Sequence, residues 1–535
     1  MLSWRDVILA ALLPSWYCSI QDPVVDLGYV QYRGNQTNSN TIAYLGIPYA
    51  EPPLADLRFR APRTLNTTRV THEARGTILN ITECPDFCVQ GTTGSGDAGG
   101  AGTEDCLNMN IYTPSNARRG SRLPVFVYFH GGGYTYGNPA LWPFDHWIEQ
   151  SPDVIIVAPY YRLDSLGFLS HPAFIDSELG DLNVGFQDQL LALKWVQRHI
   201  RAFGGDPAKV SIGGHSAGAS SVELHLVAKE PEHLFSAAIA QSVFRVPLAL
   251  PEQTLPLFEY YASNAGCGTG RLSEQMKCLR GADIGALARA QDAAYYNFTG
   301  YNAFRPMVDG RIITDFPTRS LLRGEFARVP ILLGSTSNES LPEVVDFIAT
   351  LKSVWPSLTD FDLDGFASLY APGQFATDEE RIRASTGESL NRCARNIIGS
   401  ALSVTNNTWA YRYNQPVRGS DAVEHGAENW MFFDGTNPGP NGSTTFSPQT
   451  PLELAFSSEL IAYWLSFVRS GNPNTYKLGW SPQWARYSLA NRMRIVLQEG
   501  PEETANRSGS YMEMEPMDEG LRCAFIVSKV DHQQN

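Results

Sequence analysis

The segment GHSAG, residues 214–218, has residue types and spacing that could do nucleophilic chemistry. A serine in the pattern G-x-S-x-G can sit on a strained turn between a strand and a helix, with its hydroxyl raised and the helix N-terminus beside it. The residues before this motif are strand-like and those after it are helix-like. The pattern therefore predicts Ser216 as a catalytic nucleophile.

Ser216 would need a base and an acid elsewhere in the chain, because a serine hydroxyl is a weak nucleophile until a base takes its proton. Where such an elbow carries the serine, the acid and then the histidine follow it in sequence. His225 and His233 come too early to leave room for an acid-bearing strand, and His532 lies in a polar tail. His425, in AVEHGAENWMFF, is the candidate base.

The acid should lie just past the carboxyl end of a strand, because active sites of parallel α/β sheets gather at that edge. The segment VPILLGSTSNES provides Glu339 after a strand-like run. Asp309, in PMVDGR, is its rival, and Glu343 is a weaker one. Spacing alone leaves these three carboxylates open.

A second glycine cluster, in FHGGGYTYGN at residues 129–138, follows an apolar run. Gly131, Gly132 and Gly133 could form a flexible turn, since glycine is common between elements. Glycines also let backbone amides approach a ligand and stabilise a developing negative charge. Both interpretations stay open on these residues alone.

The elements that would position these groups alternate between strand-like and helix-like runs, which predicts a mostly parallel sheet with helices on its faces. Buried strands are predicted at 123–130, 153–161, 209–212 and 329–334, and amphipathic helices at 185–203 and 453–471. We expect one large α/β domain with long insertions. The glycine-rich loop 90–105 follows no strand and opens no helix, so its G-x-G-x-x-G spacing does not predict a dinucleotide site.

The composition of the chain excludes several functions. Its 535 residues carry a net charge of −14 without any Lys/Arg-rich block, so nucleic-acid binding is not expected. No stretch reaches about 18 unbroken apolar residues, so stable membrane insertion is not expected either. An H-E-x-x-H string and paired C-x-x-C motifs are both absent from the sequence. No metal or other cofactor is predicted.

The N-terminus favours export. Residues 7–13 form an apolar run behind Arg5, which predicts a signal peptide over 1–19 and a catalytic domain over 20–535. Eight N-x-[ST] sequons and eight cysteines fit a secreted glycoprotein with disulfide bonds. If Cys18 leaves with the signal, one of the seven remaining cysteines is free or intermolecular.

The sequence resembles the type-B carboxylesterases and lipases of the cholinesterase-like α/β-hydrolase family, and among them a secreted fungal-type carboxylesterase. Blocks matching the family in order include YLGIPYAEPPLADLRFRAPR, EDCLNMNIYTP, FHGGGYTYG, YRLDSLGFLS, FGGDPAKVSIGGHSAG, FRPMVDG, SNES and EHGAE. The resemblance implies an α/β-hydrolase fold. It implies a catalytic triad and oxyanion-hole amides at the following positions: Ser216, Glu339 and His425; Gly132, Gly133 and Ala217.

The same resemblance implies further roles. Asp309 becomes structural, and Arg58 with Glu104 and Arg162 with Asp188 become ion pairs of the framework. The implied disulfides are Cys84–Cys106 and Cys267–Cys278. Cys88, Cys393 and Cys523 have no assigned family partner, although Cys393–Cys523 is a possible pair.

Departures from the family pattern bear on the substrate. His215 stands where many relatives carry a glutamate. Residues 84–106 lack the tryptophan on which cholinesterases stack choline, with Phe87 as the only ring, and lack the apolar lid of lipases. Asn302 and Gly300 occupy positions where acetylcholinesterases narrow the acyl pocket with rings, which predicts a roomier pocket.

The expected activity is therefore serine carboxylic-ester hydrolysis through an acyl-enzyme, on small to medium uncharged esters. Three alternatives remain: transfer of the acyl group to an alcohol in a biosynthetic step, lipase activity, and a non-catalytic adhesion role. The adhesion proteins of this family typically lose triad residues, and none is lost here. The sequence does not predict an oligomeric state.

Overall fold

The structure is a computed structural model that describes residues 23–91, 101–176, 178–230, 233–339, 346–405, 407–439, 443–500 and 507–535. Its strands, in chain order, are β1 (Val24–Asp26), β2 (Gln31–Arg33), β3 (Asn35–Asn38), β4 (Thr41–Pro48), β5 (Ile78–Asn80), β6 (Asn108–Pro114), β7 (Leu123–Phe129), β8 (Ile155–Pro159), β9 (Gly205–His215), β10 (Ala237–Gln241), β11 (Ile331–Thr336), β12 (Thr408–Tyr413), β13 (Thr436–Pro438), β14 (Thr444–Phe446), β15 (Met493–Leu497) and β16 (Tyr511–Met514).

The helices are shorter elements interspersed among the strands, apart from two long ones. In chain order they are α1 (Thr67–Ala74), α2 (Asp145–Gln150), α3 (Asp164–Phe168), α4 (Val184–His199), α5 (Ala217–Val227), α6 (Leu255–Asn264), α7 (Leu272–Gly281), α8 (Ile284–Asn297), α9 (Pro317–Leu322), α10 (Phe347–Val354), α11 (Asp360–Leu369), α12 (Asp378–Gly387), α13 (Cys393–Ser403), α14 (Ala427–Phe432), α15 (Pro451–Ser470), α16 (Met517–Val527) and α17 (Val530–Gln533).

One 11-stranded sheet, in the order β16-β15-β12-β11-β10-β9-β7-β8-β6-β4-β3, organises the described chain. The strands from β8 across to β15 pair in parallel, and the antiparallel pairs lie at the two edges. The predicted α/β architecture, a large and mostly parallel central sheet with flanking helices, is confirmed.

Apolar side chains cover both faces of this sheet. On β7, Val125, Val127 and Phe129 join one buried cluster, whereas Phe126 and Tyr128 join another. Side chains alternate between the faces of a strand, so a strand buried on both faces must be apolar throughout. The unbroken apolar runs of the sequence reflect this double burial.

The long helices begin and end close to their predicted positions. After α4, a 3₁₀ turn covers Ile200–Phe203, and Gly204 ends it with a φ of 94°. Helix α15 begins with a capping box of Thr450 and Glu453 and ends at Gly471, with a φ of 68°. Glycine is favoured at both ends because a left-handed backbone costs other residues more.

The strand before Ser216 is longer than predicted. The sequence predicts a strand over 209–212 followed by a glycine turn, but β9 continues through Gly213 and Gly214 to His215. A Cβ on Gly213 would lie 2.5 Å from the ring of Phe126. These glycines are therefore strand residues under close packing, and the chain turns at Ser216 itself.

The register of the strands brings four chain segments to one edge. Gly214 in β9 pairs with Phe129 in β7, and His215 pairs with Gln241 in β10. Gln241 in turn pairs with Gly334 in β11. The residues that follow β7, β9, β10 and β11 therefore leave the sheet side by side at its carboxyl edge.

The disulfide pairing differs from the implied one at a single bond. Cys88 bonds to Cys106, so the implied Cys84–Cys106 pair is wrong. The backbone of Val89 donates to Thr103, which brings Cys88 level with Cys106 at a Cα separation of 5.1 Å. Cys84 is a free, exposed cysteine that accepts a hydrogen bond from Asn110 Nδ2.

The other implied contacts are present, and so is the Cys393–Cys523 pair, for which the resemblance assigned no partner. Cys267 bonds to Cys278, and Cys393 bonds to Cys523. The guanidinium of Arg58 donates two hydrogen bonds of 2.6 Å to Glu104. Arg162 likewise donates to both carboxylate oxygens of Asp188, at 2.8 and 2.7 Å. These charges are buried as pairs, which offsets part of their desolvation cost.

Several predicted features lie outside the described residues: the signal peptide, most of the glycine-rich loop 90–105, Glu343 and the sequons at Asn406, Asn441 and Asn506. Among the residues that are described, no helix has the length and apolar character needed to cross a bilayer.

The disulfide pairing gives a direct test. In digests made without reduction, we expect a peptide that links Cys88 to Cys106 and an alkylated Cys84, both detectable by mass spectrometry. Cys88→Ser should lower the free energy of unfolding by about 3 kcal/mol, since the bond closes a loop of 18 residues. Cys84→Ser is the control and should leave the Tm unchanged. A peptide that links Cys84 to Cys106 would contradict the structure.

Candidate active site

Ser216 forms the turn between β9 and α5. Its backbone has a φ of 56° and a ψ of −123°, an uncommon conformation for a residue with a side chain. The Ser216 amide donates to the Gln241 carbonyl oxygen at 2.9 Å, which ties the turn to β10. The side chain projects above the carboxyl edge of the sheet, where Ser216 lines a cavity.

Close packing on one side of this turn requires glycine. A Cβ on Gly218 would lie only 2.0 Å from the carbonyl oxygen of Phe129 and 2.8 Å from that of His130. The first turn of α5 therefore lies directly against the end of β7. This contact brings the elbow and the glycine cluster after β7 together.

Ser216, His425 and Glu339 form a chain of hydrogen bonds. His425 Nε2 lies 2.8 Å from Ser216 Oγ, and His425 Nδ1 lies 2.5 Å from Glu339 Oε2. His425 comes from the loop between β12 and α14, and Glu339 from the loop after β11. Residues 209 and 86 positions apart in sequence are thus in direct contact.

Glu339 is fully buried and held as an anion. Burial alone would raise its pKa, but the positive charge of His425 and hydrogen bonds from His425, Ser242 and the Thr336 amide lower it to about 2. The Thr336 amide donates to the oxygen that His425 does not contact, at 2.9 Å. Both carboxylate oxygens are therefore occupied and their orientation is fixed.

The pKa of His425 is raised by the same pair. Burial alone would lower this pKa, but the Glu339 carboxylate outweighs burial through its charge and its hydrogen bond, and Glu428 adds to the effect. A histidine paired in this way accepts a proton readily at Nε2, since Nδ1–H is held by the carboxylate. His425 Nε2 is therefore positioned to accept the proton of Ser216 Oγ.

Asp309, the alternative candidate for the acid, forms hydrogen bonds within a loop and with Asn183. Its Oδ1 accepts from the amides of Arg311, Ile312 and Ile313, and its Oδ2 accepts from Asn183 Nδ2 at 2.7 Å. The side chain ties the loop after Met307 to the start of α4. The structure does not bring it to His425.

The glycine cluster after β7 is a shaped turn rather than a loose one. Gly132 and Gly133 have φ values of 110° and 65°, and the Gly132 carbonyl oxygen accepts from Thr135 and Tyr136. Over the described part of the chain, the amides of Gly132, Gly133 and Ala217 have no hydrogen-bond partner. Gly132 and Gly133 line the same cavity as Ser216.

A second buried polar cluster lies behind His425. The rings of His215 and His425 are 4.9 Å apart, and Asn429 Nδ2 donates to His215 Nδ1. Burial first, and then the neighbouring His425, lower the pKa of His215 to about 3, so its ring is neutral. Burial, and then the charge of Glu339, raise the pKa of Glu428 to about 7. His215 stands out in the sequence as a departure from the family, whereas Glu428 was missed although it lies three residues after His425.

The cavity above these groups measures about 340 Å³. Besides the residues already named, Trp142, Tyr295 and Arg305 form its wall. Arg305 lies in the block FRPMVDG, but no role was predicted for it. In the sequence, the feature that could have drawn attention to it is a charged residue between Phe304 and Pro306. The structure buries both of these neighbours. No cluster of His, Cys, Asp or Glu in the described residues could hold a metal ion.

A model of the carboxylesterase family matches residues 21–391 of the chain, which is well over half of it. The chain belongs to this family. It is similar to the acetylcholinesterase of Bungarus fasciatus, with 29% identity over 86% of the chain and 79% of the relative. It is also similar to secreted lipase 4 of Gibberella zeae, with 28% identity over 88% of the chain and 89% of the relative.

A solved structure shares the fold. The crystal structure of Aspergillus niger EstA matches with a TM-score of 0.84 and 29% identity, and the match covers 96% of this chain and 99% of that one. Together with the family match, this similarity establishes that the protein has the α/β-hydrolase fold and is an esterase. The predicted resemblance to type-B carboxylesterases is confirmed.

The packing of the elbow on β7 can be tested with one methyl group. Gly218→Ala should lower the free energy of unfolding by about 1–3 kcal/mol or more, because the added Cβ would clash with the backbone of β7, which cannot move independently. Gly281→Ala, at the exposed end of α7 with no atom within 4 Å of its Cβ position, should be nearly neutral. Thermal unfolding of both variants is the measurement. An equal Tm for the two would show that the close approach does not exist.

Proposed function

We propose that this carboxylesterase-family protein hydrolyses carboxylic esters with Ser216 as nucleophile, His425 as base and Glu339 as the orienting acid. The observation that carries the proposal is the continuous hydrogen-bond chain from Ser216 Oγ through His425 to Glu339, beneath an open cavity. A nucleophile in contact with a base that a third group orients is the recurring geometry of acyl transfer.

The first step forms an acyl-enzyme. Ser216 Oγ attacks the ester carbonyl carbon while His425 Nε2 takes the hydroxyl proton, and the carbonyl oxygen becomes an oxyanion. The unpartnered amides of Gly132, Gly133 and Ala217 are the proposed donors to that oxyanion. Each such donor is worth roughly 2.7–4 kcal/mol of barrier lowering. The carbon–oxygen bond to the alcohol then breaks, and His425 returns its proton to the leaving alkoxide.

The second step releases the acid. A water molecule gives a proton to His425 Nε2 and attacks the acyl carbon, and collapse of the second tetrahedral intermediate restores Ser216 Oγ–H. Glu339 keeps Nδ1 of His425 protonated and stabilises the imidazolium in both steps without taking its proton. The low pKa of Glu339, about 2, supports this role because the carboxylate stays ionised throughout.

The proposed substrates are small to medium esters without a choline group. The cavity beside the site is lined by Gly300 and Asn302 rather than by rings at those positions, which supports a roomy acyl pocket. The prediction against choline and lipid surfaces still depends on the sequence of residues 84–106. Residues 20–535 are proposed as one catalytic domain.

Export is part of the proposal. The described sequon asparagines, which are Asn35, Asn66, Asn80, Asn297 and Asn338, are all exposed, as glycan acceptors must be. Three disulfides are typical of oxidising compartments. Similarity to a secreted lipase supports the same location.

Removal of the nucleophile tests the mechanism. Ser216→Ala should lower kcat for 4-nitrophenyl butyrate by about 10⁴- to 10⁶-fold, because no covalent intermediate can form. Ser273→Ala, at an exposed position of α7, is the matched control. A fluorophosphonate should label the wild type at Ser216 only. Wild-type rates in the Ser216→Ala protein would refute the proposal, and a loss of wild-type rate for acyl chains beyond about four carbons would refute the roomy pocket.

The pH profile tests the Glu339–His425 pair. His425 must be neutral to act as a base, and Glu339 raises its pKa, so kcat/KM of the wild type should rise with pH through a value above 6.5. Glu339→Gln removes the charge that favours imidazolium, so this acid limb should move to lower pH, and the plateau should fall by about 10⁴-fold. Glu379→Gln, on the exposed surface of α12, is the control. An acid limb that stays in place or moves to higher pH would contradict the role of Glu339.

A further inference from the structure

A second cavity opens beside the one that contains Ser216. It measures about 230 Å³, and its wall includes Gly300, Asn302 and Ser170. The two cavities share Phe244, Tyr295 and Arg305 in their linings. Arg305 therefore stands at the junction between the reacting serine and the proposed acyl pocket.

The guanidinium of Arg305 lacks a hydrogen-bonding partner in the part of the chain that the structure describes. Within the described residues it forms no salt bridge and no side-chain hydrogen bond, and its Nε is buried without a partner. Its Cζ lies 5.4 Å from the centroid of the Phe244 ring. A guanidinium offers five N–H donors in a planar fork, so its full hydrogen-bonding capacity remains available.

Buried arginines elsewhere in the described residues have partners within the protein. Carboxylate partners are present at Arg58, Arg162, Arg381, Arg395 and Arg494. Arg245 has no salt bridge within the described residues but donates to the hydroxyl of Thr318. Arg305 differs from all of these because it faces a cavity and has neither kind of partner.

No carboxylate forms a salt bridge with Arg305 in the part of the chain that the structure describes. Asp164 is the acid that acts on it electrostatically, and burial, followed by the charge of Asp292, raises the pKa of Asp164 well above its usual range. Burial thus favours the neutral form of Asp164, and no salt bridge joins its carboxyl to Arg305. Arginine keeps its proton in proteins, so the cavity junction carries a positive charge that has no salt-bridge partner among the described residues. Such a charge is costly unless an anion binds to it.

We propose that Arg305 binds a free carboxylate on the acyl part of the substrate, and that the enzyme prefers monoesters of dicarboxylic acids. The inference rests on the proposed function, since it places the ester carbonyl at Ser216 and extends the acyl chain past Arg305 into the second cavity. A carboxylate matches the guanidinium fork with two parallel hydrogen bonds. This replaces the uncharged esters that the sequence predicts as substrates.

The preference for an anionic ester also follows from the cost of desolvating Arg305 when a neutral ester binds. An apolar acyl chain in the second cavity would displace water from Arg305 without supplying an acceptor. The unpaired guanidinium would then lose hydration without compensation. A terminal carboxylate avoids this loss, so the same residue both attracts the anionic ester and discriminates against its neutral counterpart.

Two esters of matched shape provide the test. The 4-nitrophenyl monoester of adipic acid ends in a carboxylate, and 4-nitrophenyl 6-methylheptanoate replaces that carboxylate by an isopropyl group. For the wild type, kcat/KM should be at least about 10-fold higher for the anionic ester. Arg305→Gln should lower kcat/KM for the anionic ester by about 10- to 100-fold, whereas kcat/KM for the neutral ester should stay the same or rise because the cost of desolvating the guanidinium is removed. Arg305→Lys should keep part of the preference because it keeps the charge.

Controls separate this inference from the proposed function. Arg201→Gln, at an exposed site, should leave both esters unaffected. If Ser216→Ala retains either activity, or the wild type hydrolyses neither ester, the proposed function fails and the inference fails with it. If hydrolysis depends on Ser216 but shows no preference for the anionic ester, or Arg305→Gln lowers both rates equally, only the inference is overturned.

A binding measurement covers the case in which Arg305→Gln does not fold, as judged by fluorophosphonate labelling of Ser216. Adipate should inhibit wild-type hydrolysis of the neutral ester competitively, and 1,6-hexanediol at the same concentration should not. Equal inhibition by the two compounds, or none by adipate, would overturn the role of Arg305 in the wild-type protein alone.

Discussion

The backbone turn at Ser216 is the constraint on which the rest of the site depends. A serine with a φ of 56° costs conformational energy, and the fold maintains it because the chain is fixed on both sides. On one side the end of β9 pairs with β7 and β10 in the middle of the sheet, and on the other α5 packs against the end of β7 through Gly218. Any relaxation of the turn would have to separate α5 from β7. The raised hydroxyl and the free amide of Ala217 are consequences of that packing.

The electrostatics of the site divide two buried glutamates into different states. Glu339 accepts hydrogen bonds from the charged His425 and from the Thr336 amide, so it is ionised, whereas Glu428 accepts one from the neutral hydroxyl of Ser242 and feels the charge of Glu339. A low-dielectric pocket tolerates one such anion next to a histidine more easily than two. The neutral ring of His215 fits this arrangement, because a third carboxylate at that position would add negative charge beside Glu428.

The parts of the fold that could be predicted from the sequence are those that depend on local patterns of neighbouring residues. The apolar runs of β7 and β11, the helix α15 and the G-x-S-x-G string each require only neighbouring residues to be recognised, and each lies within a few residues of its predicted place. The length of β9 was missed because glycine is read as a turn residue, whereas Gly213 is a strand residue that makes room for Phe126. The partner of Cys106 was missed for a similar reason, since backbone pairing between Val89 and Thr103, and not cysteine spacing, sets which thiol is close.

Arg305 shows why substrate preference was harder to predict than the reaction. The residues of the proposed triad must have particular chemical identities, so their types alone narrow the choice along the sequence. A guanidinium, by contrast, has a function that depends on which carboxylates the fold places beside it. Arg58 and Arg305 are the same residue type, but the guanidinium of Arg58 forms a salt bridge with Glu104, whereas Arg305 lines two cavities. Only the three-dimensional arrangement distinguishes a charge that holds the framework together from a charge left available for a ligand.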